Sequence, residues 1–270
     1  MAKGKAKVNY LHRAGMVGKM DGPDWSFIYD SSLVKDAKWD VGDRVVLPDG
    51  RVFRYAKSSS VLYAGHGAQG DVEMEDGIDW ALLGVAQAVG DKQVTFAAAT
   101  HPAYAKDALR GGHILISDSE LTGLSDARIQ NRGIIGNDAS AEDAACVVYL
   151  DGPLVRTVGT TTYAFCMPSE YSSIYKANKP GASILGVPAV YVDAADKYFW
   201  LQTWGIAWIA ISGNLGKTDL YRGFAFRGTD GLIVEYDNSV ANATTQYGGF
   251  VVDNNWQANG ATFMMLQLAP

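Results

Sequence analysis

Residues 197–210 (Lys197-Tyr198-Phe199-Trp200-Leu201-Gln202-Thr203-Trp204-Gly205-Ile206-Ala207-Trp208-Ile209-Ala210) hold three Trp, one Tyr and one Phe within fourteen positions. In an extended chain successive side chains point to opposite faces. Tyr198, Trp200, Gln202 and Trp204 therefore share one face, and Phe199, Leu201 and Thr203 the other. A strand this bulky on both sides belongs between two layers, or between a layer and another subunit. Each ring removed from water contributes roughly 2–3 kcal/mol by area transfer. Flat rings in a row can also stack on sugars, so Trp200, Gln202 and Trp204 form a candidate glycan platform. Core or subunit packing is the favoured reading, because Phe199, Leu201, Ile206, Trp208 and Ile209 give the segment a second apolar face.

The surrounding pattern extends this to an all-β protein. Thirty glycines, a hydrophobic content of 48% and few amphipathic Leu-rich runs favour short strands joined by tight turns. Apolar runs at 93–99, 113–117, 128–135, 145–150, 187–192, 197–204, 206–211, 223–227, 232–236, 249–252 and 262–268 are candidate strands, and Gly, Asp or Asn sits in most gaps. Upstream, Arg44-Val45-Val46-Leu47 and Arg51-Val52-Phe53-Arg54-Tyr55-Ala56 flank Pro48-Asp49-Gly50, a turn sequence that predicts a β-hairpin. The expected organisation is a basic extended arm plus hairpin over 1–57 and a connector over 58–90. A β subdomain at 91–152, a linker at 153–180 and a second β subdomain with the aromatic strand at 181–270 follow. The body would be a β-sandwich or barrel. Pro168 at a first-turn position predicts one helical turn over 168–177.

Charge is distributed unevenly. The net charge is −6, yet residues 1–60 contain 11 basic against 7 acidic groups, a balance of +4 that leaves −10 for residues 61–270. Lys3, Lys5, Lys7 and Arg13 lie in Gly/Ala-rich sequence with little to bury. A chain with an acidic body is not expected to bind nucleic acid directly. No run approaches the roughly 18 apolar residues that span a bilayer, and no leader pattern opens the sequence, so neither membrane insertion nor export is expected.

Chemical motifs are weak. Gly65-His66-Gly67-Ala68-Gln69-Gly70 matches G-x-G-x-x-G, but the acidic residues that follow, broken by Gly77, do not make the helix a dinucleotide needs, so a flexible turn is predicted. His12, His66, His101 and His113 have no metal-ligand spacing, and His101 and His113 read as turn or strand-end residues. Cys146 and Cys166 form no paired motif, and the apolar flanks of Cys166 argue against a nucleophilic thiol. Acidic pairs such as Glu73/Glu75 and Glu142/Asp143 read as solvated loops. No cofactor, metal ligand or catalytic residue is therefore assigned.

Three segments resemble a family of structural proteins of tailed bacteriophages, virion proteins of the head decoration, capsid-associated type. The first runs from Gly42-Asp43-Arg44 through Leu47-Pro48-Asp49-Gly50-Arg51-Val52-Phe53-Arg54-Tyr55-Ala56-Lys57. The second runs from Ala103-Tyr104-Ala105-Lys106-Asp107 to Gly111-Gly112-His113-Ile114, and the third joins Gly186-Val187-Pro188 to Tyr198-Phe199-Trp200-Leu201-Gln202-Thr203-Trp204-Gly205. They occur in the family's order and cover about a third of the chain.

The resemblance implies a non-enzymatic protein on the exterior of the phage head, present in the host cytoplasm before assembly. Its partners would be the major capsid protein and its own copies, as a homo-oligomer for which a trimer is attractive. Under this reading the arm carrying Lys3, Lys5, Lys7 and Arg13 reaches across neighbouring capsid subunits, Arg44, Arg51 and Arg54 meet carboxylates at subunit seams, Phe53 and Tyr55 are apolar anchors, and Trp200, Gln202 and Trp204 pack between subunits. Removal of residues 1–57 is expected to abolish capsid binding and leave a folded body. The competing expectations are a glycan-binding adhesin or fibre-like module using the Trp row, and a hydrolase built on a carboxylate pair.

Overall fold

The structure is a computed structural model that describes residues 25–71, 77–117, 129–179, 181–212, 215, 222–236, 245–252 and 263–270. Lys3, Lys5, Lys7, Arg13, His12 and the Glu73/Glu75 pair lie outside the described residues. The described residues are nearly all β, in two curled antiparallel sheets. A short 3₁₀ turn, Ser26–Tyr29, precedes β1 (Ser31–Ser32), β2 (Arg44–Val46), β3 (Val52–Lys57) and β4 (Ala68–Gly70). Then come β5 (Ile78–Leu82), β6 (Gln93–Phe96), β7 (His113–Ser117), β8 (Ile129–Asn137), β9 (Cys146–Leu150) and β10 (Tyr163–Met167). The chain continues through β11 (Ile174–Lys176), β12 (Ile184–Pro188), β13 (Tyr198–Trp208), β14 (Gly223–Arg227), β15 (Ile233–Glu235), β16 (Thr245–Val251) and β17 (Phe263–Gln267).

Strands β5 to β10 form a six-stranded sheet in the order β5-β10-β7-β8-β9-β6. The other eleven strands form one large sheet with the path β11-β4-β12-β13-β17-β16-β14-β15, and β1 and β3 also pair with β13. The six-stranded unit is thus one contiguous stretch inserted between two halves of the larger sheet. Its own core contains Ile78, Val94, Phe96, Ile114, Ile116, Val148, Leu150, Ala164 and Cys166.

This topology corrects the expected boundaries. The 58–90 stretch is no connector, because it supplies β4 to one sheet and β5 to the other. The 153–180 stretch is no linker, because β10 lies between β5 and β7. The helical turn expected at 168–177 is absent: Ser172 N donates to Ser169 O at 2.9 Å in a single turn, after which β11 pairs with β4. These short strands carry little alternation of their own, and neighbours far away in sequence supply their ladder bonds. The runs 197–204 and 206–211 merge into the one long strand β13.

The predicted hairpin is present, with Val46 opposite Val52 and Gly50 N donating to Leu47 O at 3.0 Å. It does not project from the body. Strand β3 pairs with β13 from Lys57 opposite Tyr198 to Val52 opposite Trp204. On one face of this pair Trp200 packs with Phe53 and Tyr55 against Ile28, Phe27 and Trp39. On the other, Phe199 and Leu201 pack with Ala56 against Leu62, Ile174 and Val192. The doubly bulky strand is accordingly sandwiched within its own subunit. Ile28, Val45, Leu47, Phe53 and Tyr55 belong to the core, so removing residues 1–57 would take away part of the body's own interior, which runs against the expectation of an intact body without them.

Gly65–Gly70 starts in a turn, closed by His66 N donating to Tyr63 O at 3.2 Å, and ends as strand β4. Gly65, at φ +75°, lies under the Trp208 indole, where a Cβ would overlap the ring. Gln69 in β4 is 1% exposed, and its amide joins three chain segments. Its Nε2 donates to the carbonyls of Lys179 (2.7 Å) and Gly228 (3.1 Å), while its Oε1 accepts from Asn178 N at 3.0 Å and Lys179 N at 3.1 Å.

Candidate assembly surface

Strand β13 changes character midway. Its pairing with β3 shifts register between Gln202 and Trp204, and Gly205 sits at φ +93°, which glycine adopts without strain. The Gln202 side chain spans this bulge, donating from Nε2 to Trp204 O at 3.2 Å and Ile206 O at 2.9 Å. Beyond it Ala207 and Ile209 enter the core formed with Phe224, Phe226, Met264 and Leu266. Ile206 and Trp208 then point away from that core. Trp200 is 2% exposed and Trp208 is 48% exposed, although both lie on the same strand.

The outward positions line up across three strands. Ile206 lies opposite Met265 of β17, which lies opposite Phe250 of β16, and Trp208 lies opposite Phe263. Val252 N donates to Phe263 O at 2.9 Å, extending the second row. Tyr247 and Tyr236 stand at the margin with ring centroids 5.3 Å apart. Of these residues only Met265 is half-buried; the others are exposed. With about 150–250 Å² for each aromatic side chain, the exposed fractions amount to on the order of 600 Å² of apolar surface. That is at the upper end of the largest patch on a typical monomer, about 300–600 Å². It approaches the roughly 800 Å² that each partner contributes to a standard interface.

The other interface residues expected from sequence are distributed differently. Phe53 and Tyr55 are buried in their own subunit and are not anchors for a partner. Burial raises the Tyr55 hydroxyl's pKa above its ordinary value, and the oxygen accepts from Asp36 N at 3.0 Å. Arg54 donates to Gly42 O at 3.2 Å, with its guanidinium 5.7 Å from the Tyr171 ring centroid. Arg51 binds Asp49 at 2.7 Å and lies over Phe53. These two cations are engaged within the chain, whereas Arg44 is exposed at the start of β2. Trp200 and Gln202 are interior, and Trp204 is half-buried at the bulge. A covered Trp200 cannot stack on a sugar, so the Trp row is no glycan platform.

Sequence reasoning missed Ile206, Trp208, Phe250, Val252, Phe263 and Met265 as a group. The alternation in Phe263-Met264-Met265-Leu266-Gln267 is visible in the sequence, but its outward rows are apolar as well, so nothing local says which face meets water.

His101, Cys146 and Cys166 are enclosed within the chain. His101 is buried, with Nδ1 2.6 Å from Pro102 O and Nε2 2.7 Å from Ala144 O, and it stacks on Tyr104. Burial pushes the thiols of Cys146 and Cys166 above their ordinary pKa. Among the described residues no group of three His, Cys, Asp or Glu is placed to hold a metal. A cleft of about 250 Å³ lies where the two sheets meet, walled by Met167, Pro168, Ala182 and Leu185, with Ser169 and Glu170 at its lining.

Comparison with known proteins returns no matching family model, no matching curated protein and no matching solved structure.

Proposed function

We propose that this chain is a non-enzymatic structural component of an assembled protein shell, of the head decoration type that the sequence resemblance implies. Copies associate through the outer face of β13, β17 and β16. The observation that carries the reading is the contiguous apolar surface formed by Ile206, Trp208, Phe263, Met265, Phe250 and Val252. A second copy is the occupant that fits, because a closed symmetric contact buries the same self-complementary patch on both partners. Repeated around a shell, modest contacts sum to tight attachment through effective concentration.

In this reading the major capsid protein is the other partner. Arg44 and the basic residues Lys3, Lys5, Lys7 and Arg13 reach carboxylates at capsid subunit seams, while the rest of the hairpin serves the protein's own core. The protein occupies the head exterior after a cytoplasmic stage, with no role for nucleic acid or membrane. The test is light scattering coupled to gel filtration of the full chain, followed by co-sedimentation with phage heads. The unaltered protein is expected to be oligomeric, and Trp208→Glu with Phe263→Lys to be a folded monomer that sediments less with heads. A wild-type chain that remains monomeric at roughly 100 μM, well above the micromolar dissociation constants of weak standard interfaces, removes the proposal.

A further inference from the structure

A second surface, adjoining the β13–β17–β16 rows where Gly65 lies under Trp208, has the composition of a ligand site. Leu62 and Val192 form an isolated antiparallel bridge, exchanging N–H···O bonds of 2.9 and 3.0 Å, and both side chains are buried. Alternation turns their neighbours outward. Tyr63 and Tyr191 consequently stand opposite one another, 42% and 55% exposed, with ring centroids 5.9 Å apart and planes at 33°. The rings are held by the backbone beneath them, so their presentation costs a ligand little ordering.

Polar groups edge this pair. His66 closes the turn after Tyr63, with its ring centroid 5.5 Å from the phenol and its Nδ1 3.2 Å from Asp230 O. In the tautomer that donates from Nδ1, Nε2 is left as an acceptor. Lys176, anchored through its backbone N to Ser60 Oγ at 2.8 Å, holds its ammonium 4.9 Å from the Tyr63 centroid. Among the described residues no carboxylate pairs with that ammonium.

We propose that Tyr63, Tyr191, His66 and Lys176 bind a carboxylated sugar ring of an acidic polysaccharide. A pyranose has an apolar C–H face and a rim of hydroxyls. The apolar face covers the Tyr191 ring and the exposed part of Tyr63, the phenol oxygens and His66 meet hydroxyls, and Lys176, whose ammonium lies over the Tyr63 ring, takes the carboxylate in a charge-assisted hydrogen bond. Lys176, with no carboxylate partner among the described residues, favours an anionic occupant, and the hydroxyl and imidazole groups around the rings favour one with a hydroxyl rim. The site shares no residue with the outer rows, although Gly65 between Tyr63 and His66 touches Trp208, and its binding test does not require the assembly reading.

Calorimetric titration of the full chain with a galacturonate tetramer, and with a neutral glucose tetramer as control, tests the proposal. The acidic tetramer is expected to bind more tightly, and Tyr191→Ala and Lys176→Gln each to weaken it by about tenfold or more. Both positions are exposed, so thermal unfolding should be unchanged in either variant. Failure of the unaltered protein to bind either tetramer overturns the site. Undiminished binding by Tyr191→Ala overturns the platform, and equal affinity for both tetramers overturns the carboxylate assignment.

Discussion

Truncating Trp200 separates an interior role for the aromatic strand from a surface one. Trp200 is 2% exposed and touches three other rings, with centroids 5.5 Å from Phe27, 5.0 Å from Trp39 and 5.1 Å from Tyr55. Removing roughly 200 Å² of buried indole at about 25 cal/mol per Å² gives an upper estimate of about 5 kcal/mol. Large-to-small aromatic replacements in cores cost about 3–5 kcal/mol, so about 4 kcal/mol is expected for Trp200→Ala. With a urea slope of about 3 kcal/mol/M, the midpoint should fall by more than about 1 M. Trp208→Ala on the same strand, 48% exposed, should cost about 2 kcal/mol in the dissociated protein, since only about half of roughly 200 Å² of indole is covered and no enclosed cavity is left. Urea titration followed by indole fluorescence reports the larger sheet, because Trp80 alone among the described tryptophans lies in the six-stranded one. Equal midpoints for the two variants would refute the assignment of opposite environments to the two ends of β13.

Three further outcomes follow from particular contacts. Gln69→Leu strands at least four backbone groups around β4 and should lower stability by about 3 kcal/mol or more; a loss under about 1 kcal/mol would show that water replaces those bonds. Cys146 and Cys166 should both resist a thiol reagent in the native protein and react on unfolding, and rapid native labelling of either would contradict their burial. Hydrogen bonds from Lys197 and Lys57 hold the carboxyls of Asp193 and Asp196 below the ordinary 3.8. Their contribution is therefore complete above that unfolded value and lost as pH falls through the lower folded values. The difference in melting temperature between wild type and the Asp193→Asn, Asp196→Asn double variant should shrink as pH drops below about 4, and a constant difference would remove the pairing from the acid response.

What the sequence determined by itself was whatever depends on local chemistry. Period-two alternation and turn residues located β7 and β14 to the residue, and Pro48-Asp49-Gly50 set the hairpin joining β2 to β3. The bulk on both faces of residues 198–204 required a covered strand, and that holds. The tertiary structure decided what covers it: residues of the 25–57 stretch of the same chain, Trp25, Phe27 and Trp39 together with Phe53 and Tyr55, the last two of which had read as apolar anchors for a partner. An aromatic side chain gains the same transfer free energy against either neighbour, so composition cannot tell self from non-self. The bulge at Gly205 is equally non-local, because it depends on β3 and β17 meeting β13 at different registers. That shift turns the last two outward residues of the strand from core into surface, and it places the candidate assembly face at Ile206 and Trp208 instead of Trp200 and Gln202.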